Sequence, residues 1–188
     1  MQLLTAWAAL GYIELRFLDE TGFSMLPNIP YGWLPKGKQC GILADNKRVM
    51  NILGLMSLDH KLTSYVSQKS INSAFIIECL EDFCSSVEKP TVIVMDQAPW
   101  HTSKSMKEKL PIWEKKNMYV FYLPKYSPHL NAIEILCGSP PGRKIKYKWL
   151  KPEDYMSPHT LKKAVFNLLE CFGSQFRINF SMNFSLLQ

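Results

Sequence analysis

The sequence lacks the cysteine patterns that mark disulfide-rich secreted domains and structural zinc sites. Its five cysteines are an odd number and include no Cys-x-x-Cys pair. Neither a disulfide framework nor a tetrahedral zinc site is therefore indicated. We interpret the cysteines as reduced thiols, mostly buried, in a cytoplasmic protein.

The sequence also lacks internal repeats, low-complexity tracts and any hydrophobic run long enough to cross a bilayer. Residues 3–13 are apolar, but they are too few for a membrane span and no basic residue precedes them. A failed signal peptide is one interpretation of this stretch, and a segment from the interior of a longer reading frame is the preferred one. No membrane partner is predicted.

The sequence carries only a modest excess of positive charge. The net charge of +6 and the pI near 9.0 suit a polyanionic partner, but many domains without such a partner are equally basic. Hydrophobic residues make up 47% of the 188 residues and charged residues 20%, which indicates a folded domain rather than a disordered chain. The length allows one domain with a substantial core.

A strand is predicted over residues 13–25, where apolar and polar side chains alternate. Because side chains in a strand point to alternate faces, Leu15, Phe17 and Asp19 share one face, which places a carboxyl group in line with core residues. Asp19 is followed by Glu20, and one of these two acids is expected to face solvent.

Two further strands are predicted near residues 39–44 and 49–58, with Asp45 and Asn46 as turn residues between them. Residues 31–38 are rich in glycine and proline and are interpreted as a loop. Together with the first strand, these elements give an antiparallel meander of three strands.

The middle of the chain predicts helices that alternate with buried strands. The expected elements are an amphipathic helix over 71–88, a strand over 91–95, a polar helix over about 102–117 and a strand over 118–123. The unbroken apolar run 91–95 is typical of a strand buried on both faces in a parallel sheet, and it ends in Asp96. A meander followed by β-α-β gives a mixed α/β sheet.

The next predicted helix begins at Ser127 and Pro128, because Ser is a favoured N-cap and Pro is tolerated at the first helical position. This helix would carry Glu134 beside an apolar stripe formed by Leu130, Ile133, Leu136 and Cys137. It should stop at residues 138–142, which hold two glycines and two prolines. A further helix is predicted over 158–172.

Three acids in this arrangement are candidate metal ligands. Asp19 points towards the interior, and Asp96 lies at the carboxyl end of a buried strand, where ligands usually bind in open α/β sheets. Burying a carboxylate costs several kcal/mol unless cations or hydrogen bonds compensate, and divalent metals with oxygen ligands would do so. Each acid also has an ordinary structural interpretation, Asp96 as a helix cap and Glu134 as a solvated helix residue.

Three sequence blocks around these acids resemble those of a known family. Phe-Leu-Asp-Glu-Thr-Gly-Phe-Ser-Met at 17–25, with Tyr-Gly-Trp-Leu-Pro-Lys-Gly at 31–37, resembles the opening block of bacterial insertion-sequence DDE transposases related to the mariner group. Val-Met-Asp-Gln-Ala-Pro-Trp-His at 94–101 resembles their second block. Tyr-Leu-Pro-Lys-Tyr-Ser-Pro-His-Leu-Asn-Ala-Ile-Glu at 122–134 resembles the third. The blocks stand in the family's order over roughly residues 13–150.

The resemblance implies a ribonuclease H-like fold in which Asp19, Asp96 and Glu134 are catalytic and bind two Mg²⁺ or Mn²⁺ ions. It implies hydrolysis of phosphodiesters at transposon ends, followed by strand transfer into target DNA. Double-stranded DNA would be the substrate. The expected assembly is a homodimer or a complex with a full-length transposase, in the bacterial cytoplasm at the nucleoid.

Several residues near the acids are expected to support the site or to contact DNA. For His101, contact with a phosphate or a metal-bound water is weighed equally against packing or capping, and Trp100 is expected in the core. Asn131 is expected to support the helix of Glu134. The remaining candidates are four basic residues that suit phosphate contact but equally suit a solvated face: Arg143, Lys144, Lys146 and Lys148.

Three features depart from the family's pattern, the first being that Asp96 and Glu134 lie 134 − 96 = 38 positions apart, slightly more than is usual in the family. We expect residues 1–188 to form a single catalytic domain, with a core over about 13–150 and a C-terminal helical tail over about 158–188. The helix-turn-helix region that members normally carry before the first acid is therefore expected to be absent. In addition, the break at 138–142 is expected to weaken the positioning of Glu134 and to lower activity relative to a chain without it.

These departures leave two alternatives to a working transposase. One is a ribonuclease H-like nuclease that cuts DNA without joining it. The other is a catalytically impaired transposase remnant that acts only by binding DNA or a partner.

Overall fold

The computed structural model describes residues 1–27, 36–37, 45–46, 48–134 and 145–178, and leaves out the side chain of Tyr147. The helices and strands in chain order are α1 (Gln2–Ala9), β1 (Glu14–Ser24), β2 (Arg48–Ser57), β3 (Leu62–Ser67), α2 (Ser73–Ser85), β4 (Thr91–Met95), α3 (Lys104–Glu114), β5 (Met118–Tyr122) and α4 (Pro158–Glu170). Three single turns complete the list: 3-10 turns at Pro128–Leu130 and Pro152–Met156, and a π-helical turn at Ile145–Trp149.

The described strands form one mixed sheet in the order β3-β2-β1-β4-β5. β1 and β2 pair antiparallel, as do β2 and β3, whereas β4 is parallel to both β1 and β5. Every residue of β4 is buried, as the apolar run predicts, because helices cover both faces of the sheet at this position. The predicted α/β class is confirmed, with a meander followed by β-α-β in a ribonuclease H-like arrangement.

The sequence analysis missed one strand of the meander. β3 follows a turn in which His60 adopts a left-handed φ of 66°. It is an edge strand whose residues are mostly half-exposed, so it lacks the apolar alternation that marks the other strands. The strand predicted near 39–44 lies outside the described residues, as does most of the predicted loop 31–38.

The core forms two layers, one on each face of the sheet. On one face, α2 and α3 pack onto residues of β1, β2 and β4, with Leu80 and Trp113 fully buried. On the other face, α4 and the turns around it pack onto Phe17 and Val94. The helix predicted over 158–172 is therefore part of the core rather than a tail, because it buries Leu161, Val165 and Leu168 against the sheet.

The predicted helix start at Ser127 is wrong. Residues Pro128–Leu130 form only a 3-10 turn, the side chain of Ser127 makes no capping hydrogen bond, and Asn131 has extended backbone with φ −95° and ψ 104°. The physical reason is a competing contact, since the Asn131 side chain donates to the carbonyl of Leu18 on β1. That hydrogen bond holds Asn131 against the sheet in extended conformation, and helical conformation is found again at Glu134, as predicted for that residue. The predicted break at 138–142 lies outside the described residues.

Candidate active site

Asp19 lies on β1, the central strand of the sheet, opposite Gly54 of β2. Its side chain is half-buried. Burial raises the pKa of its carboxyl group well above the usual value, and the charges of Glu134, Glu20 and Asp96 raise it further. Asp19 is therefore electrostatically coupled to both other predicted site acids, which brings residues from three separate sequence blocks together.

Asp96 lies directly beyond the carboxyl end of β4, and its side chain is 62% exposed. Its Oδ1 accepts hydrogen bonds from the backbone N–H of Ala98 at 2.9 Å and from Nδ1 of His101 at 2.6 Å. The hydrogen bond from His101 is the largest cause of a lowered Asp96 pKa, against the opposing effect of burial. Asp96 does not cap α3, because Ser103 occupies that position and accepts from the N–H of Met106.

His101 is only 1% exposed and lies between two carboxylates. Its Nδ1 faces Asp96, and its Nε2 donates to Oε1 of Glu20 at 2.7 Å. Burial favours the neutral ring, but the hydrogen bonds that His101 donates to Asp96 and Glu20 outweigh it and raise the His101 pKa to about 9. Because both ring nitrogens are engaged and the ring is buried, His101 is not placed to contact a phosphate.

Glu20 is a site residue that the sequence analysis missed. It was expected that either Asp19 or Glu20 would face solvent, but the Glu20 side chain is only 17% exposed because it reaches His101. The contact spans 81 positions in the sequence, so no local pattern reveals it. The only signal was the adjacency of two acids at a strand position with apolar neighbours.

Asn131 connects the turn that carries Glu134 to β1. Its Nδ2 donates to the carbonyl of Leu18 at 3.0 Å, next to Asp19, and its own carbonyl accepts from the N–H of Glu134 at 3.0 Å. This geometry supports the predicted role of Asn131 as a supporting residue. Its Oδ1 is buried and accepts no hydrogen bond from the described residues.

A cavity of about 370 Å³ opens between Asp96, Asn131 and Glu134 at the carboxyl edge of the parallel strands. The turn over residues 123–128 forms its other wall. A larger groove of about 970 Å³ lies at the opposite edge of the sheet. Its acids Glu14 and Asp59 pair with Arg16 and Lys61, so that groove presents compensated charges rather than clustered carboxylates.

The residues at the carboxyl edge fit divalent cations chemically. Asp19, Asp96 and Glu134 supply hard oxygen donors, and the pKa of Asp19 is raised by its burial and then by the charges of Glu134, Glu20 and Asp96. The buried Oδ1 of Asn131 adds an acceptor without a described donor. Among the described residues, no three carboxyl, imidazole or thiol groups lie close enough to share one ion in this conformation.

The other predicted contact residues are distributed differently. Lys146 is half-buried and its Nζ lies 5.2 Å from the centre of the Phe23 ring, so part of its role is packing. Lys148 is exposed. Arg143 and Lys144 lie outside the described residues. The expectation of a core position for Trp100 is wrong: it is 43% exposed and meets His101 edge-on, while Trp113 fills the core.

The mixed sheet in this order, with helices on both faces and acids at its carboxyl edge, has the ribonuclease H-like arrangement. A family model described as DDE superfamily endonuclease matches residues 14–161. The chain therefore belongs to the DDE superfamily endonuclease family, which confirms the family predicted from the three sequence blocks.

None of the helices in the described part of the chain is long and apolar enough to cross a membrane.

Solved structures of transposases and an intasome are similar to this chain at low identity. The catalytic domain of Mos1 mariner transposase is 14% identical with a TM-score of 0.46, and the match covers 94% of this chain and 91% of that one. The Mos1 mariner paired end complex with Mn is 16% identical with a TM-score of 0.49, covering 94% and 61%. The simian T-cell lymphotropic virus intasome is 12% identical with a TM-score of 0.41, covering 64% and 34%. No curated protein matches the chain.

Proposed function

We propose that this chain is the catalytic domain of a DNA transposase, which hydrolyses phosphodiesters at transposon ends and joins the freed 3′-hydroxyls to target DNA. The observation that carries the proposal is that three separate parts of the sequence bring Asp19, Asp96 and Glu134 to one edge of the sheet, where burial and then the neighbouring acids raise the pKa of Asp19. These acids are far apart in sequence, and clustering them costs free energy unless cations are bound. Membership of the DDE superfamily endonuclease family supports the same conclusion.

Asp19, Asp96 and Glu134 are the proposed ligands of two Mg²⁺ or Mn²⁺ ions. When bound, such ions would act as Lewis acids that activate the attacking oxygen and stabilise the leaving oxygen of an in-line displacement. The chain's own contribution is to hold the three carboxylates. The central strand carries Asp19, and the hydrogen bond from Asn131 to β1 steadies the segment that leads to Glu134.

The proposed substrate is double-stranded DNA. The net charge of +6 favours a polyanion, and exposed Lys125 lies on the wall of the cavity that also holds Asp96 and Glu134. Because both ends of an element must be processed together, we propose that the chain acts as a homodimer or with a full-length transposase. A bacterial chromosome as target would place it in the cytoplasm at the nucleoid.

Metal binding can be tested without knowing the DNA ends. Isothermal titration with Mn²⁺ should give a saturable signal for the wild-type chain that Asp96→Ala weakens strongly. Asp59→Asn is the matched control, since this acid lies in the groove at the opposite edge and should leave Mn²⁺ binding unchanged. Equal Mn²⁺ affinity in wild type and Asp96→Ala would refute the assignment of the site.

The reaction itself separates the proposal from its alternatives. DNA fragments from either side of the gene are incubated with Mn²⁺ and a target plasmid, and the products are analysed for nicks and for joined strands. A transposase gives both products, a nuclease gives nicks alone, and an impaired remnant gives neither while still binding the DNA. Both products must disappear in Asp96→Ala, since activity in that variant would come from a contaminant.

A further inference from the structure

Tyr126 is presented to solvent beside the candidate active site. Its side chain is 97% exposed. Its backbone has a φ of +57°, a left-handed conformation that is an outlier for a bulky residue. It lies in the turn between β5 and the 3-10 turn Pro128–Leu130, on the wall of the cavity that Asp96 and Glu134 also line. The aromatic ring of Tyr126 is thus exposed to solvent next to the cavity that Asp96 and Glu134 line.

The turn that carries Tyr126 is tied to the segment of Asp96. The N–H of Leu123 donates to the carbonyl of Met95 at 2.9 Å, and the side chain of Gln97 donates to the carbonyl of Leu123 at 2.8 Å. These two contacts bracket Asp96 in the sequence. The start of the turn, and with it the position of Tyr126, is therefore fixed relative to a predicted metal ligand.

The ring of Tyr126 is not packed into the described fold. A left-handed backbone is unfavourable for a residue with a Cβ. A buried aromatic ring would offset such a cost, but the exposed ring of Tyr126 gains no burial. Asn117 adopts a similar φ of 61°, yet it is a residue type that tolerates this conformation. The ring of Tyr126 is thus available to a ligand at the cavity.

A nucleobase is the ligand whose chemistry fits. Every base has a flat face that stacks on an aromatic ring regardless of sequence, and exposed Lys125 next to Tyr126 can contact the adjoining phosphate. A base inside an intact duplex is covered on both faces by its neighbours, whereas an unpaired base at a DNA end is free to turn and stack on the ring of Tyr126. We propose that Tyr126 is a stacking site for an unpaired nucleobase beside the phosphodiester being processed, an inference that rests on the proposed function.

The test measures binding without any metal or cleavage. The probe is a DNA duplex with a short unpaired 3′ tail that contains the fluorescent base 2-aminopurine, and the reference is the same duplex with a blunt end. In EDTA, wild type should bind the tailed duplex roughly tenfold tighter than the blunt one and quench the 2-aminopurine. Tyr126→Ala should lose both effects, whereas Tyr126→Phe should keep them because it retains the ring.

Tyr12→Ala is the matched control, since Tyr12 is 67% exposed but lies before β1 at the opposite edge of the sheet. It should leave the tail preference unchanged. A tail preference that survives Tyr126→Ala would overturn the proposal, and so would a dimer in sedimentation that Tyr126→Ala converts to monomers. The proposed function is tested separately, because it is refuted if the chain does not cleave DNA in the presence of metal ions. Stacking that depends on Tyr126 in a chain without cleavage would identify a DNA-end-binding protein.

Discussion

Nδ1 of His101 lies 2.6 Å from Oδ1 of Asp96, and this contact joins the end of β4 to a buried imidazole. The opposite nitrogen of the same ring donates to Glu20 on β1. The side chain of His101 thus orients Asp96, a predicted metal ligand, and links it to Glu20 on β1. In metal sites, hydrogen bonds of this kind orient the ligand carboxylate before the ion arrives.

Replacement of His101 by alanine should weaken Mn²⁺ binding roughly ten- to a hundredfold, since Asp96 loses its orienting donor. The free energy of unfolding should fall by about 1–3 kcal/mol because the partly buried carboxylate of Glu20 is left without a donor. Titration calorimetry and urea denaturation measure the two effects. His129→Ala, at an exposed histidine on the 3-10 turn, should change neither. Unchanged Mn²⁺ affinity in His101→Ala would remove this residue from the site.

The stability of the metal-free chain should depend on pH through His101. Its pKa is raised to about 9 from the usual 6.5, so the folded state binds this proton more tightly than the unfolded state. The resulting stabilisation is complete below pH 6.5 and is lost as the pH rises through 9. Urea denaturation in EDTA across this range should therefore show a decline that is smaller in His101→Ala. If the free energy of unfolding depends on pH equally in wild type and in His101→Ala, the raised pKa of His101 is contradicted.

Asp96 and its strand could be predicted from the sequence because their signals are local. Five apolar residues in a row require burial on both faces, and an acid that follows them must lie at the strand's end. Asp19 was predictable for the same reason, as its place in the alternation of β1 sets its face. The sequence blocks then supplied the family, which composition and periodicity alone could not.

The errors concern contacts between distant residues. The helix predicted from Ser127 fails because Asn131 bonds to Leu18, more than a hundred positions earlier. The inward position of Glu20 depends on His101 in the same way. Local propensity describes only competition within a segment, so an interaction with another strand overrides it without leaving a local trace.

Asp19→Asn should stabilise the metal-free chain while it abolishes stabilisation by Mn²⁺. The pKa of Asp19 is raised by burial and by Glu134, Glu20 and Asp96, so its charge opposes folding at neutral pH. Thermal unfolding in EDTA should show a higher Tm for the variant, and added Mn²⁺ should raise the Tm of wild type alone.

The matched control for Asp19→Asn is a substitution of Asp59, a carboxyl group whose charge favours the folded state. The pKa of Asp59 is lowered because hydrogen bonds from Ser57 and Lys61 outweigh the effect of its burial. Asp59→Asn should therefore lower the Tm in EDTA and keep the response to Mn²⁺. A lower Tm in both variants would show that Asp19 is a structural carboxylate rather than a strained metal ligand.

Gly54→Ala should disturb the turn that carries Glu134. Gly54 pairs with Asp19 across the sheet, and a Cβ at this position would lie 3.0 Å from Cδ1 of Ile133. Ile133 is fully buried and directly precedes Glu134, so the few tenths of an ångström by which it must give are expected to shift the segment of Glu134. We expect a loss of about 1–3 kcal/mol in the free energy of unfolding, as for other overpacked cores. Mn²⁺ affinity in titration calorimetry should fall as well.

A second substitution separates this steric effect from a general cost of removing a glycine. Ile133→Val deletes the Cδ1 atom that the new methyl group would meet, at a cost of about 0.5–1.5 kcal/mol for the lost packing. The double variant Gly54→Ala, Ile133→Val should therefore bind Mn²⁺ as tightly as Ile133→Val alone. If the double variant binds Mn²⁺ no better than Gly54→Ala, the new methyl group on β2 does not act on Glu134 through Ile133. The loss would then come from β2 itself.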